Sequence, residues 1–74
     1  GLNEAIELRN NNIKLPILVM GYTPDDCLDI AIQNNITVTI FSKEQAEILS
    51  NKSKKTTQKA NIHIKIDTGF NRLR

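Results

Sequence analysis

The sequence predicts an α/β protein in which parallel strands alternate with helices of about ten residues. One observation is the order of the elements. Each of three strand-like segments, which are apolar or β-branched, follows a stretch with helical periodicity; the segments are residues 17–20, 36–41 and 61–67. The other is the continuous apolar run at residues 17–20, which is typical of a strand buried on both faces of a parallel sheet.

The first helix is predicted over residues 3–11, followed by a strand over residues 17–20. Asparagines 10–12 end the helix, since Asn tolerates the left-handed conformation that often follows a helix. Pro16 and Gly21 bound the strand. The helix is predicted to carry an apolar stripe made up of Ala5, Ile6, Leu8 and Arg9.

The second helix is predicted to begin at Thr23 and to run to about residue 34. Thr23 is a suitable N-cap, Pro24 suits the first helical position, and two aspartates complement the positive end of the helix dipole. Cys27 lies within this helix, where we expect a small buried hydrophobic residue rather than a nucleophile.

The second strand, residues 36–41, leads into a third helix over residues 43–53. Ser42 and Gln45 have the spacing of a capping box. The final strand, residues 61–67, alternates isoleucines with His63, Lys65 and Asp67, which gives it one apolar and one polar face.

Two architectures fit this order: a doubly wound sheet, and a (β/α)8 barrel with its helices outside. The polar face of the last strand then meets either solvent or the barrel interior. A lysine inside a barrel must be paired, neutralised or modified. Three strands cannot close a barrel, so we expect the 74 residues to be a piece of a larger domain.

Composition argues against several classes of function. The net charge is only +2, and the lysines at residues 52–59 are not interleaved with aromatics, so we expect no nucleic-acid partner. We expect no membrane span, because no apolar run is long enough. A single cysteine and a single histidine do not suggest a metal site. No Gly-rich phosphate loop is present in the sequence.

The terminal segment, residues 65–73, resembles the K-x-D-T-G-M-x-R-L segment of bacterial alanine racemases. The resemblance covers nearly the whole chain, because further segments match in the same order at residues 4–9, 15–23, 36–42 and 44–46. It implies a (β/α)8 barrel that binds pyridoxal 5'-phosphate (PLP). Residues 1–74 would form a partial N-terminal barrel domain, from its second helix to its fifth strand.

The resemblance also implies roles for particular residues. Lys65 is similar to a lysine that is carbamylated by carbon dioxide, and Arg72 to the arginine that this carbamate holds against the phenolic oxygen of PLP. Like-charge repulsion and desolvation inside the barrel favour the neutral amine, which can capture carbon dioxide. Leu18 and Met20 resemble apolar residues beside the cofactor. His63 resembles a nearby interior histidine, and a core histidine without a direct role is an equal alternative.

The family reaction interconverts L- and D-alanine, with PLP as the electron sink. The resemblance to this family implies a cytoplasmic homodimer that supplies D-alanine for cell-wall peptidoglycan. Two bases, a lysine and a tyrosine, exchange the proton. The resemblance assigns neither base to this chain, and Tyr22 does not match the tyrosine. We therefore expect no catalytic base in residues 1–74 and no activity from them alone.

Three alternatives remain open. The first is a PLP-dependent racemase acting on serine or lysine, and the second is a PLP-binding barrel fragment without catalysis. The third, a nucleotide-binding α/β module, lacks a phosphate loop.

The sequence departs from the family pattern at two positions. Phe70 stands where Met is common, which is a tolerable apolar exchange, and Arg74 stands where the family has Gly. A glycine with positive φ resists replacement by arginine. We therefore expect a different turn there, or a residue foreign to the native sequence.

Overall fold

The computed structural model of this chain describes residues 1–57 and 62–64, the last two through their backbone. Its element order confirms the predicted alternation of helices and strands. In chain order the elements are α1 (Leu2–Asn10), β1 (Leu18–Val19), a 3₁₀ turn (Asp25–Cys27), α2 (Leu28–Gln33), β2 (Thr37–Ile40), α3 (Lys43–Ser53) and β3 (Ile62–Ile64).

The three strands form one parallel sheet in the order β1-β2-β3, as predicted. Directly paired residues of neighbouring strands share a face of the sheet. One face therefore carries Val19, Val38 and position 62. The other face carries Leu18, Thr37, Thr39 and position 63.

The hydrophobic core lies between one sheet face and the helices. All three helices contribute to it, through Ala5 of α1, Leu28 of α2 and Leu49 of α3 among others. Within residues 1–57 and 62–64, the helices therefore share one side of the sheet. The full set of buried core residues is Ala5, Val19, Leu28, Ala31, Ile32, Ile36, Val38, Ile40 and Leu49.

The prediction that the first strand is buried on both faces is wrong for the described residues. Val19 is 7% exposed, whereas its neighbour Leu18 is 44% exposed. The physical reason is that the helices cover only the face to which Val19 belongs. The opposite face of β1 therefore carries an exposed apolar side chain.

The predicted start of the second helix is also wrong. Pro24 has an extended backbone, with φ −57° and ψ 150°, and a 3₁₀ turn follows it before α2 begins. Thr23 therefore does not cap a helix. Its backbone carbonyl instead accepts a 2.6 Å hydrogen bond from the Gln45 side chain. This tertiary contact connects the segment before α2 to α3. The two aspartates that were predicted at the helix start lie in the 3₁₀ turn instead.

Asparagine ends both of the first two helices, as predicted for α1. Asn12 and Asn35 lie just beyond α1 and α2 and adopt positive φ angles of 66° and 54°. Asn accepts this left-handed conformation at lower cost than most residues. The third predicted strand is confirmed at residues 62–64, and its predicted continuation to residue 67 lies outside the described residues.

Arg9 does not belong to an apolar stripe. Its guanidinium donates hydrogen bonds to four backbone carbonyl oxygens, at distances of 2.8 to 3.0 Å. The acceptors belong to Ile13, Leu15, Asn34 and Asn35, which precede β1 and β2. Arg9 therefore joins the two loops at the amino-terminal edge of the sheet.

Candidate functional site

The candidate site is the face of the sheet that the described helices leave uncovered. Leu18 is 44% exposed on this face, and Met20 and Tyr22, which follow β1, are 72% and 62% exposed. Such an apolar surface is unusual beside a well-packed core and indicates a surface that contacts something else. In parallel α/β sheets, ligands bind at the carboxyl ends of the strands, which is where Met20 and Tyr22 lie.

Two aromatic rings meet at this carboxyl edge. The ring centroids of Tyr22 and Phe41 are 6.4 Å apart and their planes are inclined by 51°, a favourable tilted arrangement. Tyr22 follows β1 and Phe41 follows β2, so the contact bridges the ends of neighbouring strands. We call Met20, Tyr22 and Phe41 the carboxyl rim.

Gln45 fixes the loops that carry the rim. Its buried amide Nε2 donates to the carbonyl oxygen of Thr23 at 2.6 Å and to Oδ1 of Asp25 at 3.1 Å. Its backbone N–H donates to the Oγ of Ser42 at 3.1 Å, which confirms Ser42 as the N-cap of α3. The predicted capping box is thus only half realised, because the Gln45 side chain crosses to the loop after β1.

A buried threonine links the strands beneath the rim. The Thr39 hydroxyl donates a 2.9 Å hydrogen bond to the carbonyl oxygen of Val19. Position 63 is paired with Thr39 in the backbone register, so it belongs to the same sheet face. The structure therefore brings Leu18 and position 63 to one face of the sheet, and Met20 follows β1 at its carboxyl end. Their predicted contacts with a cofactor stay predictions.

The two basic residues predicted to support the cofactor, a lysine and an arginine, come later in the sequence than the described strands and helices. Lys65 and Arg72, like Asp67, are outside the described residues. The pairing of a carbamylated Lys65 with Arg72 therefore stays a prediction.

Cys27 has the properties of a poor nucleophile. Partial burial, and then its contact with Oδ1 of Asp26 at 3.6 Å, raise the pKa of the thiol above its ordinary value. A thiol with a raised pKa carries little thiolate near neutral pH. This agrees with the expectation that Cys27 is not a nucleophile, but Cys27 is only partly buried and lies in the 3₁₀ turn rather than in a helix core.

The described part of the chain holds neither a membrane span nor a metal-binding cluster. None of its helices combines the length and the apolar character needed to cross a bilayer. Among the same residues, no three His, Cys, Asp or Glu side chains lie close enough together to hold a metal ion.

Comparison with known proteins gives the context of this surface. The profile of the family "Alanine racemase, N-terminal domain" matches residues 1–73. The chain belongs to this family. The alanine racemase of Helicobacter pylori strain G27 is 46% identical to it over 72 residues, which cover 97% of this chain and 19% of the relative. The chain thus spans about a fifth of the length of the curated relatives it matches.

Solved structures of the alanine racemase family have the same fold. The alanine racemase of Clostridium difficile 630 superposes with a TM-score of 0.86 at 47% identity, over 92% of this chain and 18% of that one. A structure of the same enzyme in complex with cycloserine gives a TM-score of 0.84 at 48% identity, over 88% and 17% of the two chains. The prediction of a (β/α)8 barrel segment of the alanine racemase kind is therefore confirmed, and the doubly wound alternative is set aside.

The tertiary role of Gln45 and the contact between the two rim aromatics were not predicted from the sequence. A signal for Gln45 was available, because it lies four residues before the buried Leu49 and so on the inward side of α3. A polar side chain at an inward position needs hydrogen-bond partners. The ring contact had no comparable signal, since it joins two loops from different strands.

Proposed function

We propose that residues 1–74 are the part of an alanine racemase barrel that extends from its second helix to its fifth strand. The complete protein would interconvert L- and D-alanine with PLP. The observation that carries this proposal is the family match over residues 1–73, together with the TM-score of 0.86 at 47% identity. The complex of the Clostridium difficile racemase with cycloserine supports a small-molecule site on this fold.

The exposed apolar surface of the candidate site suits a planar aromatic cofactor. Leu18 exposes apolar surface on the uncovered sheet face, and Met20 exposes apolar surface just beyond the carboxyl end of β1, where ligands of such barrels bind. We propose that these two residues pack beside PLP and that position 63 lies near it. Arg72 would donate to the phenolic oxygen of the ring. When bound, PLP supplies an electron sink for the negative charge that develops on the substrate α-carbon.

Lys65 would hold Arg72 in place through a carbamate. In this step the neutral amine of Lys65 attacks carbon dioxide, forming an N–C bond and releasing one proton to solvent. The product is an anion, which accepts charge-assisted hydrogen bonds from the Arg72 guanidinium. Carbamylation thus converts a repulsion between two cations into an attraction. The support is the K-x-D-T-G-F-x-R-L sequence at residues 65–73.

The wider properties of this family are part of the proposal. The complete protein would be a cytoplasmic homodimer, with the lysine and tyrosine bases outside residues 1–74, and it would supply D-alanine for peptidoglycan. The alternatives are a racemase that acts on serine or lysine, and a PLP-binding barrel fragment without catalysis.

The test is to express the complete reading frame that encodes this segment and to measure the D-isomer formed from L-alanine, L-serine and L-lysine. We expect kcat/KM to be highest for alanine. A higher value for serine or lysine would change the substrate assignment, and PLP binding without racemisation of any of the three would favour the non-catalytic barrel. Arg72→Leu should lower kcat/KM strongly, whereas Lys54→Leu, at an exposed position of the described segment, should not.

A further inference from the structure

We propose that Gln45 is a positioning residue, which holds the carboxyl rim in the orientation that PLP requires. This inference rests on the proposed function and goes beyond it, since Gln45 itself need not touch the cofactor. Its basis is a set of hydrogen bonds that joins the loop after β1 to the start of α3.

Gln45 fixes the backbone of the loop after β1. Its buried amide donates to two acceptors in that loop, the Thr23 carbonyl oxygen at 2.6 Å and the Asp25 carboxylate at 3.1 Å. Because the Thr23 acceptor belongs to the main chain, the bond constrains the path of the loop rather than one side chain. Loss of the donor would leave a buried carbonyl oxygen without this partner.

Gln45 is itself anchored beside the other half of the rim, at the start of α3. Its backbone N–H is bonded to the Ser42 hydroxyl at the N-cap of α3. Phe41 immediately precedes Ser42, and Tyr22 immediately precedes Thr23. One buried side chain therefore links the two backbone segments whose aromatic rings meet 6.4 Å apart.

The amide of Gln45 is used only through its donors. Within the described residues, the Gln45 Oε1 and Thr23 Oγ1 atoms are buried without a hydrogen-bond partner. The contribution of the Gln45 side chain to this loop therefore comes from its two bonds to Thr23 and Asp25. The residues next to this loop, Leu18 and Met20, are those proposed to pack beside PLP.

The test compares variants of the full-length protein that contains this segment. Gln45→Met keeps the length of the side chain and removes both donors. Arg9→Met removes hydrogen bonds to carbonyls at the opposite, amino-terminal edge of the sheet, so it lowers stability without touching the rim. Thr23→Val removes only the unpartnered hydroxyl and retains the carbonyl that Gln45 contacts.

We expect Gln45→Met to raise the dissociation constant of PLP about tenfold and to change the visible circular dichroism of the bound cofactor, which reports its orientation. Arg9→Met and Thr23→Val should stay within about twofold of the wild type, because neither removes the link between the loop and α3. An unchanged dissociation constant and spectrum in Gln45→Met would overturn the inference. So would an equal effect of Arg9→Met, which would indicate general destabilisation.

If Gln45→Met does not fold, Gln45→Asn carries the test, because it keeps an amide but shortens the side chain by one methylene and so should weaken the bonds to Thr23 and Asp25. We expect a smaller rise in the dissociation constant of PLP and a changed spectrum, and wild-type values for both in Gln45→Asn would overturn the inference. A wild-type protein that does not bind PLP would contradict the proposed function instead, and thereby remove the basis of this inference.

Discussion

The Nε atom of Arg9 donates a 2.8 Å hydrogen bond to the carbonyl oxygen of Asn34. The two residues are 25 positions apart, and the contact connects the end of α1 with the end of α2. The same guanidinium reaches the carbonyl of Asn35, whose positive φ turns the chain into β2. One side chain thus donates hydrogen bonds to two successive carbonyl oxygens at the end of α2.

Arg9→Met should lower the free energy of unfolding by about 2 kcal/mol, because hydrogen bonds from a charged donor to several carbonyls are lost. Arg9→Lys should recover only part of this, since an ammonium does not match the forked geometry of a guanidinium. Urea unfolding followed by circular dichroism measures both. Lys14→Met, at an exposed position nearby, is the control, and an equal loss there would count against the role of Arg9.

Leu28→Ala should lower the free energy of unfolding by about 3 kcal/mol, through lost burial and the cavity left behind. Leu28 is fully buried between the helices and the sheet. Ile30→Ala in the same helix is the matched control, because Ile30 is 42% exposed and should cost less than about 1 kcal/mol. Equal losses in urea unfolding for the two variants would contradict the described packing of α2.

Ser42→Ala should destabilise the protein by about 1 kcal/mol, because the Oγ atom caps the N-terminus of α3. Ser42→Asp should retain most of the stability, since a carboxylate also accepts from the backbone and favours the positive helix end. Thermal unfolding of the two variants in parallel tests this. A smaller loss for alanine than for aspartate would show that the cap contributes little.

The order of elements and the parallel sheet were predictable because they depend on local patterns. The β-branched run before Ser42 and the asparagines after the helices act through backbone preferences of single residues. The start of α2 was not predictable in this way. Thr23-Pro24-Asp25 has good local helix-start chemistry, yet a hydrogen bond from Gln45, 22 residues away, accompanies an extended backbone. Tertiary contacts of this kind override local propensity.

The candidate site was predictable in part, for a similar reason. The family resemblance set Leu18 and His63 near the same cofactor, and the backbone register places these two positions on one face of the sheet. The amide link from Gln45 and the tilted contact of Tyr22 with Phe41 depend on how two loops meet in space. Arg9 was assigned to an apolar stripe because helical periodicity takes account of the face of a helix and not of the carbonyls within reach.

The Cys27 thiol should react with iodoacetamide more slowly than a free cysteine at the same neutral pH. Its pKa is raised by partial burial and by Asp26, and the thiolate is the reactive form. The rate should therefore rise with pH and level off at a higher pH than it does for an ordinary thiol. Asp26→Asn removes the neighbouring charge and should lower the pKa and speed the reaction. Rates faster than those of a free thiol at neutral pH would contradict the raised pKa.

The isolated 74-residue chain should not produce D-alanine when it is supplied with PLP. The family resemblance places the lysine that binds the cofactor covalently, and the tyrosine base, outside residues 1–74. PLP should therefore bind weakly at most and be lost on dialysis, because no covalent link forms at the cofactor site. The measurement is the visible absorbance that remains after dialysis, with the full-length protein as the positive control and with D-alanine assayed against PLP alone. Cofactor that resists dialysis would show that the reactive lysine lies within this chain. Borohydride reduction followed by peptide mapping would then identify that lysine.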